Sequence, residues 1–307
     1  MDIVGKKYIY FLISLFFIIP GIISLGVWGL RLSIDFTGGS RMEYQFKNQE
    51  SIHSTSSGQE IKNQELSEVI RKQGIDVNSV QKSGETYIIR TKQLDQKTHQ
   101  KVKTTIESIF KEAKEVSFQT IGPVIGGETT VNALKSVIVA SILIVLYIAW
   151  SFRKVPKPAS SWRFGVCAIV ALLHDVLVVV GVFSLLGHFA GVEIDSLFVT
   201  AILTVIGFSV HDTIVVFDRI RENLRRMPSS AFASVVNESI LQTFTRSFNT
   251  SLTVLLVLFT LLLFGGESTK WFVIALLIGI LSGTYSSIFN AAPLLVVWHE
   301  WSQRKSA

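Results

Sequence analysis

Two His-Asp pairs and one arginine fall in or beside stretches that are otherwise nearly free of charge. His174-Asp175 lies in the apolar run Phe164–Gly187 and His211-Asp212 in the run Ser196–Phe217, while Arg246 stands just ahead of Phe248–Phe264. An ionisable group at the centre of a hydrocarbon layer costs roughly 2.5–3.5 kcal/mol on insertion scales, so each such residue needs a partner or a task. Asp175 sits about eleven residues into its run, ~16 Å deep and close to the middle of a bilayer. Asp212 lies nearer the far end of its own run, and Arg246, opening the next one, falls at the same level. Burial raises a carboxyl group's hold on its proton, and a guanidinium beside it lowers that hold. An arginine that approached and retreated would therefore make Asp212 release and accept a proton in turn.

Each residue also has a plainer use. Asp212 with Arg246 can be an interhelical tether, and Asp175 can simply accept Ser or Thr hydroxyls and hold helices together. His174 and His211 suit packing or supporting roles. Thr250 and Thr253 share the Arg246 face of a helix at i+4 and i+7, and Thr213 follows Asp212, so these three can line a hydrated path. The segments His174-Asp175-Val-Leu-Val-Val and His211-Asp212-Thr-Ile-Val-Val read as copies of one pattern. Gly279 and Gly283 form a small-xxx-small pair, with Ser282, Ser286 and Asn290 on a neighbouring stripe, which predicts a helix-packing face.

Enzyme signatures are missing. No Walker loop and no HExxH are present, nor His/Cys spacing for a metal, so neither catalytic residues nor a metal or cofactor is expected. An intramembrane aspartyl protease built on Asp175 and Asp212 is the enzymatic rival. It leaves Arg246 and the large polar segment without a use.

The elements that must carry these residues are membrane helices. Mean hydropathy is +0.45 with 49% hydrophobic residues over 307 positions, and several stretches run about 18 residues with hardly a charge, as a ~30 Å hydrocarbon core demands. Six spans are predicted: Tyr8–Leu30, Val131–Trp150, Phe164–Gly187, Ser196–Phe217, Phe248–Phe264 and Trp271–Trp298. The first is too long for the apolar core of a signal peptide and reads as an uncleaved span. Lys6/Lys7, Arg153/Lys154/Lys157/Arg163, Arg219/Arg221/Arg225/Arg226 and Arg304/Lys305 all fall on one side. The positive-inside rule then places both termini in the cytoplasm. The net charge of +6 thereby belongs to membrane loops and does not call for nucleic acid. The cluster Asp218, Arg219, Arg221, Glu222 and Arg225 reads as an interfacial anchor with internal ion pairs, and otherwise as a docking face. Cys167, the single cysteine, reads as a buried structural thiol.

The chain thus divides into residues 1–30 (N-terminus and first span), 31–130 (extracytoplasmic domain), 131–298 (the other five spans) and 299–307 (cytoplasmic tail). Within the polar domain, strands are predicted at Arg41–Phe46, Val77–Lys82, Thr86–Thr91 and Glu115–Ile121. Helices are predicted at Glu60–Gln73 and Leu94–Ala113. Gly74 is read as a helix stop, Ser83-Gly84 as a hairpin turn and Ser51–Gln59 as a loop. The order β-α-β-β-α-β is that of a ferredoxin-like unit.

Five segments carry a resemblance: Leu32-Ser-Ile-Asp35-Phe36-Thr37-Gly38-Gly39, Ile121-Gly-Pro-Val-Ile-Gly-Gly-Glu128, Ala171-Leu-Leu-His-Asp175, the run Ser209-Val-His-Asp-Thr-Ile-Val-Val-Phe-Asp-Arg-Ile-Arg-Glu-Asn223, and Thr245-Arg-Ser-Phe-Asn-Thr-Ser251. In this order the chain resembles the SecD/SecF family of protein-export membrane proteins. His211 departs from the pattern, since many members have Asn there. The resemblance implies half of an RND-type helix bundle, completed by a SecD-like subunit and working with the SecY channel on a translocating preprotein. It also implies a bacterial plasma membrane with its lipids as the setting, and the proton gradient as the energy source. Asp212 and Arg246 match the family's proton-pathway positions, with Asp175 a lesser candidate. Asp35-Phe-Thr-Gly-Gly39 fits either a membrane-proximal turn or a hinge. The runner-up function is a proton-coupled exporter half for lipids or small molecules.

Overall fold

The computed structural model describes residues 2–46, 56–83, 86–156 and 159–305. It divides into two compact units, Met1–Arg31 with Leu134–Ala307, and Leu32–Ala133.

The second unit is a four-stranded antiparallel sheet with two helices. The short helix α2 (Ile34–Thr37) leads into β1 (Gly39–Phe46), followed by α3 (Ser56–Arg71), β2 (Val77–Ser83), β3 (Thr86–Thr91), α4 (Gln96–Ile109) and β4 (Ala113–Ile121). The strand order β2-β3-β1-β4 is that of a ferredoxin-like unit. Alternation supplies the core: Met42, Tyr44 and Phe46 from β1 and Tyr87 and Ile89 from β3 meet Leu66 and Ile70 of α3 and Val102 and Ile106 of α4. Burial pushes the Tyr44 phenol well above its usual range, with the carboxylates of Glu115 and Glu107 adding to it.

Several boundaries differ from those expected. α3 begins at Ser56, so Ser56–Gln59 is helical, in keeping with the preference of serine for helix starts; the rest of the expected loop lies outside the described residues. α4 is shorter at both ends; at its start the Asp95 carboxylate caps it by accepting from Thr98 N at 3.1 Å. Ala113 belongs to β4, paired with Phe46. Gly74 stops its helix at φ +77°, while the expected turn residue Gly84 and the basic residue Lys157 are outside the described residues.

The segment Asp35-Phe36-Thr37-Gly38-Gly39 is a built turn. Ser33 Oγ accepts from Asp35 N at 3.2 Å and the Ser33 carbonyl accepts from Thr37 Oγ1 at 3.0 Å. Gly38 and Gly39 have φ of +70° and +117°, and a Cβ on Gly39 would lie 2.7 Å from the Thr91 carbonyl oxygen. Phe36 is buried, and its carbonyl accepts from Thr130 Oγ1 at 3.2 Å. These contacts favour the turn over the hinge. Gly39→Ala is expected to destabilise the Leu32–Ala133 unit by about 1–3 kcal/mol. Amide exchange of β1 and β4 in the full chain checks this, and unchanged protection would refute it.

The first unit is helical: α1 (Lys7–Val27), α5 (Pro123–Ser151, from Leu134 onward), α6 (Ser161–Ala190), α7 (Ser196–Arg226), α8 (Phe232–Phe264) and α9 (Glu267–Ser286). A π-helical turn (Ser287–Ala291) joins α9 to α10 (Ala292–Arg304). Among the described residues six spans are long and apolar enough to cross a membrane, α9 to α10 forming the last, and the chain is a multi-pass membrane protein. Except for α1, which ends at Val27 and so short of the expected Leu30, the helices outrun the expected spans because polar turns continue past the apolar core, most of all in α8. Burial sorts them into two classes. The windows in α6, α7 and the last span are 56%, 50% and 56% buried, against 17%, 6% and 17% in α1, α5 and α8. The first three thus form the centre, and the others present apolar faces outward.

Small residues set the close approaches. A Cβ on Gly21 of α1 would fall 2.9 Å from Gly181 Cα of α6, and one on Gly279 of α9 would fall 2.1 Å from Val205 Cγ2 of α7. Gly283 likewise lies against Ser209. At one end Phe152, Phe164 and Phe217 form a ring cluster with centroids 5.0–5.6 Å apart. Nearby, Arg219 pairs with Glu222 at 2.6 Å, Arg226 with Glu222 at 2.6 Å, and Arg221 with Asp218. Asp218, Arg219, Arg221 and Glu222 of the expected cluster are thus paired among themselves, with Arg226 joining them, while Arg225 has no ion pair among the described residues.

Candidate intramembrane carboxylate sites

Asp175 comes from α6 and is fully buried. Four donors converge on its two oxygens. Oδ2 accepts from Ser209 Oγ of α7 at 2.5 Å and from Ser286 Oγ of α9 at 2.7 Å. Oδ1 accepts from Ser282 Oγ of α9 at 2.7 Å and lies 2.9 Å from His174 Nδ1. An ionised carboxylate has about four lone-pair positions, so this cage satisfies the anion completely. It also links α6, α7 and α9 through one side chain. Helical spacing explains the convergence: Ser282 and Ser286 are i and i+4 on one face of α9, and the absent side chain of Gly283 lets that face close on Ser209.

Asp212 of α7 is just as deeply placed, at 2% exposure, yet poorly served. Its Oδ2 has one long contact, 3.5 Å from Ser251 Oγ of α8, and Ser251 Oγ is itself 2.6 Å from Thr284 Oγ1 of α9. Ser247, also buried on α8, stands beside the same carboxyl group, and its Oγ makes no hydrogen bond of normal length among the described residues. Protonating Asp212 would cost it almost no hydrogen bonds, whereas protonating Asp175 would force one of its donors to turn away. The two carboxylates fall into separate hydrogen-bonded groups: on α9 Ser282 and Ser286 serve Asp175 and Thr284, on the opposite side of that helix, serves the Asp212 group.

Arg246 is not at the opening of a helix. α8 starts at Phe232, fourteen residues earlier, which is ~21 Å along the axis. The guanidinium is exposed and, among the described residues, has no carboxylate within 4 Å. The tether between Asp212 and Arg246 is therefore not formed in this state. Buried positions on α8 follow Ile240, Thr243, Ser247, Ser251 and Leu258, and Arg246 lies one residue off that stripe.

Other expected residues fall differently. Thr250 Oγ1 donates to the Arg246 carbonyl at 2.9 Å and Thr253 Oγ1 to the Thr250 carbonyl at 2.8 Å, both exposed. Their hydroxyls close on their own helix, and Ser247 and Ser251 take the place expected for them beside Asp212. Thr213 is buried, donating to the Ser209 carbonyl at 3.1 Å and lying 2.8 Å from Ser287 Oγ. It thus braces α7 against the π-turn and does not touch Asp212. His211 is exposed, in contrast to the buried His174. Ser282 and Ser286, expected only on a packing face, are ligands of Asp175. The signal for them was present as an i, i+4 serine pair beside two glycines.

Residues 101–301 match the family model "Protein export membrane protein SecD/SecF, C-terminal", and residues 23–50 match that of the SecD/SecF GG motif. The protein translocase subunit SecF of Thermobaculum terrenum is 48% identical over 302 residues, covering 97% of this chain and 94% of that protein. That of Anaerolinea thermophila is 42% identical over 306 residues, covering 98% and 96%. The protein translocase subunit SecDF of Bacillus subtilis is 37% identical over 304 residues, 97% of this chain but 38% of that one. Among solved structures, SecDF, a translocon-associated membrane protein from Thermus thermophilus, aligns with a TM-score of 0.82 at 31% identity. This chain covers 39% of that structure's length, and 98% of its own is matched.

Proposed function

We infer from the SecD/SecF family of protein-export membrane proteins, to which this chain belongs, that it is the SecF-type subunit of a protein translocase and couples proton movement to preprotein export. The observation that carries the coupling is the contrast between the two buried carboxylates. Asp175 is caged by four donors, while Asp212 has a single 3.5 Å contact beside an arginine helix. Asp212 is the proton carrier in this reading, and Arg246 the cation whose approach drives the proton off. Asp175 holds the central helices in register.

The chain acts as half of an RND-type bundle, without enzymatic activity of its own. Its other half is a SecD-like subunit, supported by the relatives in which a sequence of this kind occupies about two fifths of a longer SecDF chain. The outward apolar faces of α1, α5 and α8 and the unpaired Arg246 offer that subunit an uncovered side. The positive-inside pattern puts both termini in the cytoplasm and the Leu32–Ala133 unit outside, where emerging preprotein and the SecY channel would be met. Mild-detergent copurification of the tagged full chain, with cysteine crosslinking from α8, tests the assembly. A SecD-type partner is expected. Recovery of self-paired chains alone would overturn this reading in favour of the small-molecule or lipid exporter half.

A further inference from the structure

Where α5 ends, a pocket of about 270 Å³ is lined by Trp150, Ser151, Arg153, Lys154 and Arg221. The last carbonyls of α5 hold two of its cations in place. Arg153 Nη1 donates to the Trp150 carbonyl at 3.0 Å, with its guanidinium carbon 4.5 Å from the centre of the Trp150 ring. Arg221 Nη1, from α7, donates to the Ser151 carbonyl at 3.1 Å. These bonds also cover the electronegative end of the helix, which would otherwise repel an anion. A guanidinium has five N–H donors, and among the described residues Arg153 spends one and Arg221 two, the second on Asp218. Lys154 is exposed and has no carboxylate within 4 Å among the described residues. Three cations thus stand against the one carboxylate that touches them. Leading up to the pocket, α5 turns Leu143, Leu146, Tyr147 and Trp150 outward, each at least half exposed. Their spacing of i, i+3, i+4 and i+7 makes one apolar stripe, and its Tyr and Trp lie at the end where a membrane meets water.

We propose that this pocket seats the phosphate of an anionic phospholipid, held by Arg153, Lys154 and Arg221, with the acyl chains lying along the outward stripe of α5. A cationic pocket at the head of an apolar stripe has the layout of such a lipid, and basic pockets between membrane helices take anionic headgroups in this way. A soluble phosphate would engage the cations and leave the stripe without a part, so the lipid is the occupant that fits both. A zwitterionic headgroup brings its own cation to a site that already holds three, which selects the anionic class. The site also has mechanical meaning. α5 is little buried along its apolar window, and near this end it meets the bundle through Phe152 in the ring cluster and through the Arg221 bond to Ser151. A lipid phosphate bridging Arg153 and Arg221 fastens α5 to α7 at the same place. The proposal needs the chain to be a multi-pass membrane protein and stands apart from the proton coupling.

Native mass spectrometry of the full chain, alone and with its SecD-type partner, tests this from mixed micelles of phosphatidylglycerol and phosphatidylcholine. Phosphatidylglycerol is expected to be retained in preference to phosphatidylcholine by both preparations. Arg153→Gln and Lys154→Gln should each lower its affinity about fivefold, the usual worth of one cation at an anionic membrane surface. Thermal stability should be unchanged, since neither residue has an ion pair to lose among the described residues. The double variant Arg225→Gln/Arg304→Gln removes as much charge as Arg153→Gln/Lys154→Gln, but outside the pocket, and should leave retention at the wild-type level. An equal loss in that control would reduce the effect to diffuse charge and overturn the site, as would equal retention of the two lipids. Displacement of the lipid by inorganic phosphate would make this a soluble-anion site and overturn the lipid assignment. Retention by the lone chain but not by the complex would give the pocket to the partner subunit and overturn it likewise.

Discussion

Asp212→Asn is expected to remove the stimulation of export by an imposed proton gradient while leaving the helical bundle as stable as the wild type. The side chain is nearly isosteric, and the hydrogen bonding at stake is a single 3.5 Å contact from Ser251 Oγ, which an amide oxygen accepts equally well. Little folding energy therefore rides on the substitution. The chemistry does, because an amide neither releases nor takes up a proton at physiological pH. The expected loss is at least about tenfold in gradient-dependent export, by the scale of proton-transfer effects. Basal, gradient-independent export and membrane insertion stay unchanged. Arg246→Gln should reproduce the loss, since the exposed guanidinium has no structural ion pair to forfeit among the described residues. Arg246→Lys should restore part of it, because an ammonium supplies the charge without the planar fork. Proteoliposomes carrying the complex, assayed with and without a gradient, give the measurement. Full stimulation in Asp212→Asn would mean that the under-satisfied carboxylate is not the coupling group.

Much of this arrangement is legible in the residues, and the gaps have physical causes. Apolar run length located all six spans, because hydrocarbon thickness constrains length directly. It misplaced helix ends, because a helix continues into water at no cost in hydrogen bonds. That error put Arg246 at a helix start, although α8 begins at Phe232. The strands of the polar unit followed from alternation, and the Asp95 cap shortened a helix whose apolar pattern extended further. Asp175 and Asp212 were found because a charge in an apolar run is conspicuous. Their hydroxyl partners were not, since serine is common in membrane helices and its direction depends on how neighbouring helices are rotated. Ser247 and Ser251 rather than Thr250 and Thr253 meet Asp212 for that reason. The Gly21–Gly181 contact was missed on similar grounds. The glycines of these helices fall at no small-xxx-small spacing, and the close approach exists only once α1 and α6 are docked.

Asp175→Ala should be the most damaging single change in the bundle, costing about 3–5 kcal/mol, the usual scale for removing one partner from a buried charged network. It strands the hydroxyls of Ser209, Ser282 and Ser286 and the His174 Nδ1 group at a position with no exposure to solvent. Asp175→Asn should cost less, about 1–3 kcal/mol, since the amide oxygen still accepts and the amide nitrogen donates to a serine that has turned. Ser282→Ala and Ser286→Ala remove one donor each from a carboxylate that keeps three, so each should cost about 1 kcal/mol. Combined with Asp175→Ala they should cost almost nothing further, because the orphaned hydroxyl is gone too. Thermal unfolding of the purified chain in one detergent ranks the series, and equal losses for Asn and Ala would deny the cage its role.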